Sequence, residues 1–175
     1  MSWTRYGHLL GPMLLERRPR YCVEVGAWLG NSSIMFAETI AQWGGTLICV
    51  DHWQGSPDFA RHPFMAAQLS TAEATFRARI RGHENVVVLK MASVDAAQRC
   101  AGAEFIYIDA SHEEADVRAD LAAWGVALAA GGLMAGDDYG DSEFPGVTAA
   151  WDDVPGVHYS KGKGQWGLVW VERKL

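Results

Sequence analysis

Acidic residues stand where short apolar runs of this chain end, and their types and spacing could do chemistry. Glu24-Val25-Gly26 is followed by Ala27-Trp28-Leu29 and then by Gly30-Asn31-Ser32-Ser33. Gly26 permits a tight turn, and Gly30 lets a ligand approach the N-terminus of a following helix. Asp51, 25 residues beyond Gly26, leads into His52-Trp53. From there a carboxylate can accept hydrogen bonds from both hydroxyls of a ribose. Together these residues describe a nucleoside site. Its expected wall is Glu24, Gly26, Ala27, Trp28, Gly30, Asn31 and Ser32 from the first turn and Asp51, His52 and Trp53 from the second. Ala92 and Ser93 after the third run, and Asp109 after the fourth, complete it.

A second constellation lies further on, where Asp109-Ala110-Ser111-His112 ends one apolar run and Asp137-Asp138-Tyr139 ends the next. If these runs are neighbouring strands, Asp109, Asp137 and Asp138 converge at one rim. Three hard oxygen donors suit Mg2+, which keeps open positions for substrate oxygens. The plainer alternative is that the same aspartates cap a loop and a helix. A free imidazole titrates near neutral pH, and His112 stands close to Asp109 in sequence, so it is either a base for a substrate hydroxyl or a helix cap.

The elements that must position these groups follow from periodicity. Strand-like runs at 21–26, 46–51, 86–91, 105–109 and 133–135 alternate with helical patterns at 31–43, 66–81 and 113–129. The helical stripes carry Leu69, Phe76 and Ile80 in one segment, and Val117, Leu121, Trp124 and Leu128 in another. Alternation of this kind predicts repeated βαβ units: an α/β, Rossmann-like, doubly wound sheet of seven strands, mostly parallel. At the C-terminal end, 158–161, Gly162-Lys163-Gly164 and 165–172 read as an antiparallel hairpin. A short helix over 9–18, entered through Gly11-Pro12, precedes the first strand. No repeat, charge block or Pro/Ser-rich linker interrupts the chain, so residues 1–175 are expected to form one domain. Ligands of such sheets bind beyond the carboxyl ends of the strands, where the acids stand.

Trp28 and Leu29 occupy the loop that a dinucleotide would need bare, in a Gly-x-Gly-x-x-Gly pattern. That argues against a nucleotide-dependent oxidoreductase. Glu24-Val25-Gly26 with Gly30, followed by Asp51, instead resembles the class I S-adenosylmethionine-dependent methyltransferases. The resemblance covers nearly the whole chain, including the reversed last strand. Phe105 to His112, Ala130-Gly131-Gly132, Asp137-Asp138-Tyr139, Val50 to Gly55 and Phe144-Pro145-Gly146-Val147 are similar to the metal-dependent O-methyltransferases of the macrocin, novobiocin-sugar and cephamycin type. The resemblance implies S-adenosylmethionine as cofactor, Mg2+ at Asp109, Asp137 and Asp138, and transfer to a small-molecule hydroxyl with His112 and Asp109 as catalytic residues. Ala110 stands where that group has Gly, and Glu114-Ala115 replaces its Tyr-Glu pair, so the substrate pocket is expected to differ. A protein that binds the cofactor without turnover is the non-enzyme alternative.

Composition bounds the partners. The chain is 49% hydrophobic and 21% charged, which suits a globular core. Its net charge of −6 disfavours binding to nucleic-acid backbone or an anionic membrane and favours a small-molecule partner. Cys22, Cys49 and Cys100 are odd in number and far apart, as reduced buried thiols would be. With no signal-like start and no long apolar span, a cytoplasmic protein is expected. Trp43, Trp124, Trp151, Trp166 and Trp170 fall in helix or strand patterns and are expected in the core or on the sheet, whereas Trp28 and Trp53 either stack on adenine or pack beside the first turn. The arginines at 17, 18 and 20 read as a solvated face. Little chain remains to exclude water from the reacting group, so the 57–65 and 140–147 loops, or a neighbouring copy in a homo-oligomer, are expected to cover the site.

Overall fold

Side chains alternate across the strands in two sets, which tells how the sheet is covered. Cys22, Leu47, Cys49, Phe105, Tyr107, Leu133 and Ala135 belong to one buried cluster, while Val23, Val25, Ile48, Val50, Ile106, Ile108 and Met134 belong to the other. A strand that buries both faces must be apolar at nearly every position, which is why these runs read as continuous. The computed structural model describes residues 7–161 and 167–173. Its strands are β1 (Tyr21–Val25), β2 (Thr46–Asp51), β3 (Val86–Lys90), β4 (Ala103–Ile108), β5 (Leu128–Tyr139), β6 (His158–Lys161) and β7 (Gly167–Glu172).

They form one seven-stranded sheet in the order β3-β2-β1-β4-β5-β7-β6. The first five are parallel, and β7 runs antiparallel to both β5 and β6. The Rossmann-like sheet with its reversed end is therefore present as expected, and the Gly162-Lys163-Gly164 turn, like Trp166, lies outside the described residues. Strand order reverses between β1 and β4, the place where an open α/β sheet leaves a crevice.

The helices are α1 (Gly7–Arg17), α2 (Asn31–Ala41), α3 (Pro63–Arg79), α4 (Ser93–Ala97), α5 (Glu114–Ala127) and α6 (Pro145–Asp152). Leu10 and Leu14 of α1 pack with Phe36 and Ile40 of α2 and Phe76 of α3, while Val117, Leu121 and Trp124 of α5 pack with Val147 and Trp151 of α6. Several boundaries depart from the periodicity. Pro12 lies inside α1 rather than at its entrance; His8, whose carbonyl loses a partner there, is exposed, so water can satisfy it. The fifth strand runs from Leu128 to Tyr139, far beyond 133–135, because pairing with both β4 and β7 extends it through glycines that disfavour strands on their own. Helices α4 and α6 lie where no helix was expected. The first is one turn, too short to show a period, and the second hides behind Pro145-Gly146, which read as a loop but places proline at the helix start.

Of the tryptophans assigned to the interior, Trp124 and Trp151 are fully buried, and Trp43 donates its indole N–H to the Pro19 carbonyl at 2.8 Å. The three cysteines are buried free thiols. Among the described residues no helix is long and apolar enough to cross a membrane.

Candidate functional site

At the carboxyl ends of β1, β2 and β5 the chain must turn, and three non-glycine residues there hold a left-handed backbone: Trp28 at φ 44°, Trp53 at φ 53° and Asp138 at φ 60°. Such conformations persist only where surroundings over-determine them. Asp51 supplies that restraint for the first two. Its Oδ2 accepts the Trp28 N–H at 2.9 Å and its Oδ1 accepts the Trp53 N–H at 2.7 Å. Trp53 also donates its indole N–H to the Trp28 carbonyl at 2.9 Å, so the turns after β1 and β2 are fastened to each other.

Between these turns and the end of β4 lies a cavity of about 390 Å³, within the ordinary range for a small-molecule site. Gly26, Trp28, Asp51, His52, Ala92, Ser93, Asp109 and His112, all expected at the site, line it. Glu24, Ala27, Gly30, Asn31, Ser32 and Trp53 do not. Glu24 sits fully buried on the face under α2, where its carboxylate accepts hydrogen bonds from Ser32, Ser33 and the Cys49 thiol. It ties β1 to the first turn of α2. Burial, countered by those hydrogen bonds and reinforced by the Asp51 charge, pushes its carboxyl up to about 7. Gly30 precedes α2 with its back to the Phe76 ring of α3, and Trp53 packs on that ring at 5.1 Å. Of the two tryptophans beside the first turn, Trp28 walls the cavity, edge-on to Phe59 at 5.2 Å, and Trp53 packs behind it.

Periodicity did not single out the rest of the wall. Pro57, Phe59 and Met65 come from a 3-10 turn, Pro57–Arg61, and the start of α3, so these residues of the 57–65 segment line the cavity. Asp116 and Asp120 reach it from α5, four residues apart and so on one face of the helix. Asp120 is 5% exposed and accepts the Ser93 hydroxyl, which in turn accepts the Trp124 indole N–H at 2.8 Å. Burial raises the Asp120 carboxyl to about 6. Helical spacing around the Val117, Leu121, Trp124 stripe was the available signal: Asp120 stands beside that stripe, where an apolar residue would be ordinary.

The acidic end differs from expectation in one member. Donor atoms of Asp109, His112 and Asp138 all lie within 4.8 Å of one another, and His112 Nε2 is 3.0 Å from Asp138 Oδ2. Asp137 is not a member of that group: its Oδ2 accepts the Tyr107 hydroxyl at 3.2 Å and its Oδ1 the Asp138 N–H at 2.7 Å. The Asp109 carboxyl is held well above the usual carboxylate range, first by burial and then by the charges of Asp137 and Asp138. The His112 ring stacks on Phe144, with centroids 3.9 Å apart and planes 20° from parallel. Phe144 precedes α6, so the unexpected helix is what holds the histidine in place.

Residues 23–139 match the family described as Methyltransferase domain. No characterised protein in a curated collection matches the chain in sequence. Among solved structures, the O-methyltransferase NovP is similar at 18% identity and a TM-score of 0.71, over 94% of this chain and 76% of that one. The O-methyltransferase from Bacillus cereus, solved with SAH, is similar at 19% identity and a TM-score of 0.64, over 96% and 80%. TomG from Streptomyces achromogenes, an O-methyltransferase involved in tomaymycin synthesis and solved with SAM, shows 17% identity and a TM-score of 0.64, over 96% and 79%. At these identities the likeness is one of fold.

Proposed function

Because the chain belongs to the Methyltransferase domain family, we propose that it transfers a methyl group from S-adenosylmethionine to a hydroxyl of a small molecule, with a divalent cation at the acidic end of the cavity. The observation that carries this reading is the continuity of one cavity from Asp51, after β2, to Asp109 and His112, after β4. A nucleoside held at the first end places its reactive group toward the second. The three structural neighbours named above, all called O-methyltransferases, support the hydroxyl acceptor.

S-adenosylmethionine supplies an electrophilic methyl on a sulfonium. In the transfer the carbon–oxygen bond forms as the carbon–sulfur bond breaks, sulfur keeps the electron pair as a neutral thioether, and the hydroxyl proton must leave. The chain's own work is to hold oxygen, carbon and sulfur in line, and such orientation supplies several kcal/mol of the barrier. Asp51 is the group placed to bind the ribose. Trp28, Phe59 and Met65 wall the cavity and exclude water. Asp109 and His112, both on the wall, are the groups placed to take the proton.

The donor set at the acidic end fits a cation: Asp109 and Asp138 bring two carboxylates close together beside an imidazole. A cation held there would stabilise the developing alkoxide, and Mg2+ is among the ions that carboxylate oxygens suit. The net charge of −6 supports a small-molecule acceptor over nucleic acid. Calorimetry with S-adenosylmethionine, S-adenosylhomocysteine and NAD tests the first half of the reading: the first two bind and NAD does not. Release of S-adenosylhomocysteine with a panel of sugar and phenol hydroxyls tests the second. Tight NAD binding overturns the cofactor, and affinity without product over the whole panel leaves a binder rather than an enzyme.

A further inference from the structure

Where the cavity meets α5, its wall carries a row of hydrogen bonds with a fixed direction. An indole nitrogen can only donate, and Trp124 Nε1 donates to the Ser93 hydroxyl at 2.8 Å. Ser93 in turn donates its own O–H to Asp120 Oδ1. The row therefore ends on a carboxylate, which when ionised accepts and cannot donate. Asp120 is 5% exposed and lines the cavity, and its carboxylate makes no other hydrogen bond among the described residues. Its Oδ2 is thus left for whatever fills the cavity, and a buried acceptor of that kind calls for a donor on the ligand.

Topology decides which part of a nucleoside reaches it. The sheet order runs β3-β2-β1-β4, with Asp51 ending β2, Ser93 following β3 on one side, and Asp109 and His112 following β4 on the other. A ribose held on Asp51 with its reactive group toward β4 sends its base the opposite way, over Met91 and Ala92 to Ser93 and Asp120, all on the cavity wall.

We propose that Asp120 selects the base: its free oxygen accepts the 6-amino group of adenine and turns away a 6-oxo purine, while Ser93 and Trp124 hold the carboxylate in place. The proposal rests on the S-adenosylmethionine reading and adds to it a specificity-determining residue on α5, away from the glycine turns. An amino group brings a donor to the carboxylate. An oxo group brings a second acceptor, and two acceptors face to face in a buried wall leave both unsatisfied.

The test is isothermal titration of the whole chain with S-adenosylhomocysteine and with S-inosylhomocysteine, which carries an oxo group at the purine 6-position. The parent is expected to bind the adenosyl compound at least about 100-fold more tightly. Asp120→Asn keeps the shape and an oxygen for Ser93 but turns an amide N–H2 toward the cavity. It should lower adenosyl affinity by about 10–100-fold and raise inosyl affinity, so that the preference is erased or reversed. Asp120→Ala gives a second reading, in which the preference shrinks below about 10-fold without reversing. Melting curves show whether each variant is folded. The ratio of the two affinities is the readout that a purely structural role would not move, since a loosened α5 weakens both compounds together. A parent that binds both within about 3-fold overturns the proposal, as does an unchanged ratio in folded Asp120→Asn protein. Tight S-adenosylhomocysteine binding in either outcome leaves the methyltransferase reading standing, whereas a parent that binds neither compound removes both.

Discussion

Gly26 lies so close to the end of β4 that a Cβ on it would sit 1.8 Å from the carbonyl oxygen of Asp109. Its N–H is bonded to the Val50 carbonyl at 2.9 Å, and Asp109 N–H to the Val25 carbonyl at 2.8 Å, so the ends of β1, β2 and β4 are drawn together at this residue. The glycine that the sequence marks for a tight turn is thus also the point of contact between the nucleoside end of the site and its acidic end. With φ at 89°, it carries a backbone that an L side chain adopts only under strain.

Gly26→Ala is therefore expected to destabilise the protein by about 2–4 kcal/mol, through left-handed strain together with the displacement of Asp109. For a chain of this size each kcal/mol lowers the melting temperature by roughly 2–4 °C. Calorimetric melting checks it. A variant that melts like the parent would show that the two strand ends can part freely.

Asp51→Ala should weaken S-adenosylhomocysteine binding by about 1–3 kcal/mol, through loss of charge-assisted hydrogen bonds to the ribose. The same change releases the Trp28 and Trp53 amides that the carboxylate now accepts, so the melting temperature should fall as well. Isothermal titration and melting on one preparation measure both. Lower stability with full affinity would reduce Asp51 to a clasp between turns.

Glu24 and Asp120 make stability depend on pH in a definite direction. Burial raises both carboxyls in the folded protein, from 4.5 to about 7 for Glu24 and from 3.8 to about 6 for Asp120. The folded state then holds protons that the unfolded chain has released, so their contribution is full below the ordinary values and is lost as pH rises through about 6 and about 7. Each is worth on the order of 3 kcal/mol. Melting temperatures recorded from pH 4 to pH 8 should carry a falling component that Glu24→Gln removes near its upper end. An unchanged slope in that variant would show that Glu24 titrates at its ordinary value.

Phe144→Ala removes the ring against which His112 is stacked, and Gly146→Ala puts a Cβ 2.6 Å from the Glu114 amide nitrogen and 2.8 Å from the His112 carbonyl oxygen. Both changes should shift the imidazole without touching the ribose end of the cavity. Methyl transfer is expected to fall by about 10–100-fold, since misplacement of a reacting group by about an ångström has that effect. Affinity for S-adenosylhomocysteine should stay close to that of the parent. Equal losses in affinity and turnover would mean that α6 supports the whole cavity rather than its acidic end.

The sequence by itself determined the sheet and the ends at which chemistry gathers. Runs such as Thr46–Asp51 and Tyr21–Val25 are apolar on both faces because helices cover both, and the acids that follow them mark where the strands stop. Those signals are local and periodic, so a reading of residue types recovers them. Tertiary structure alone decided which carboxylates meet. Asp137 and Asp138 are equivalent as a dipeptide, and only the Tyr107 hydroxyl from the neighbouring strand and the left-handed turn at Asp138 send one away and bring the other to His112. In the same way Glu24 was legible as the acid of a glycine turn, but its burial beneath Ser32 and Ser33 depends on which face of β1 lies under α2. Asp120 and Phe144 reach the site from elements whose approach is fixed by packing across the sheet, over sequence separations at which no local pattern carries information.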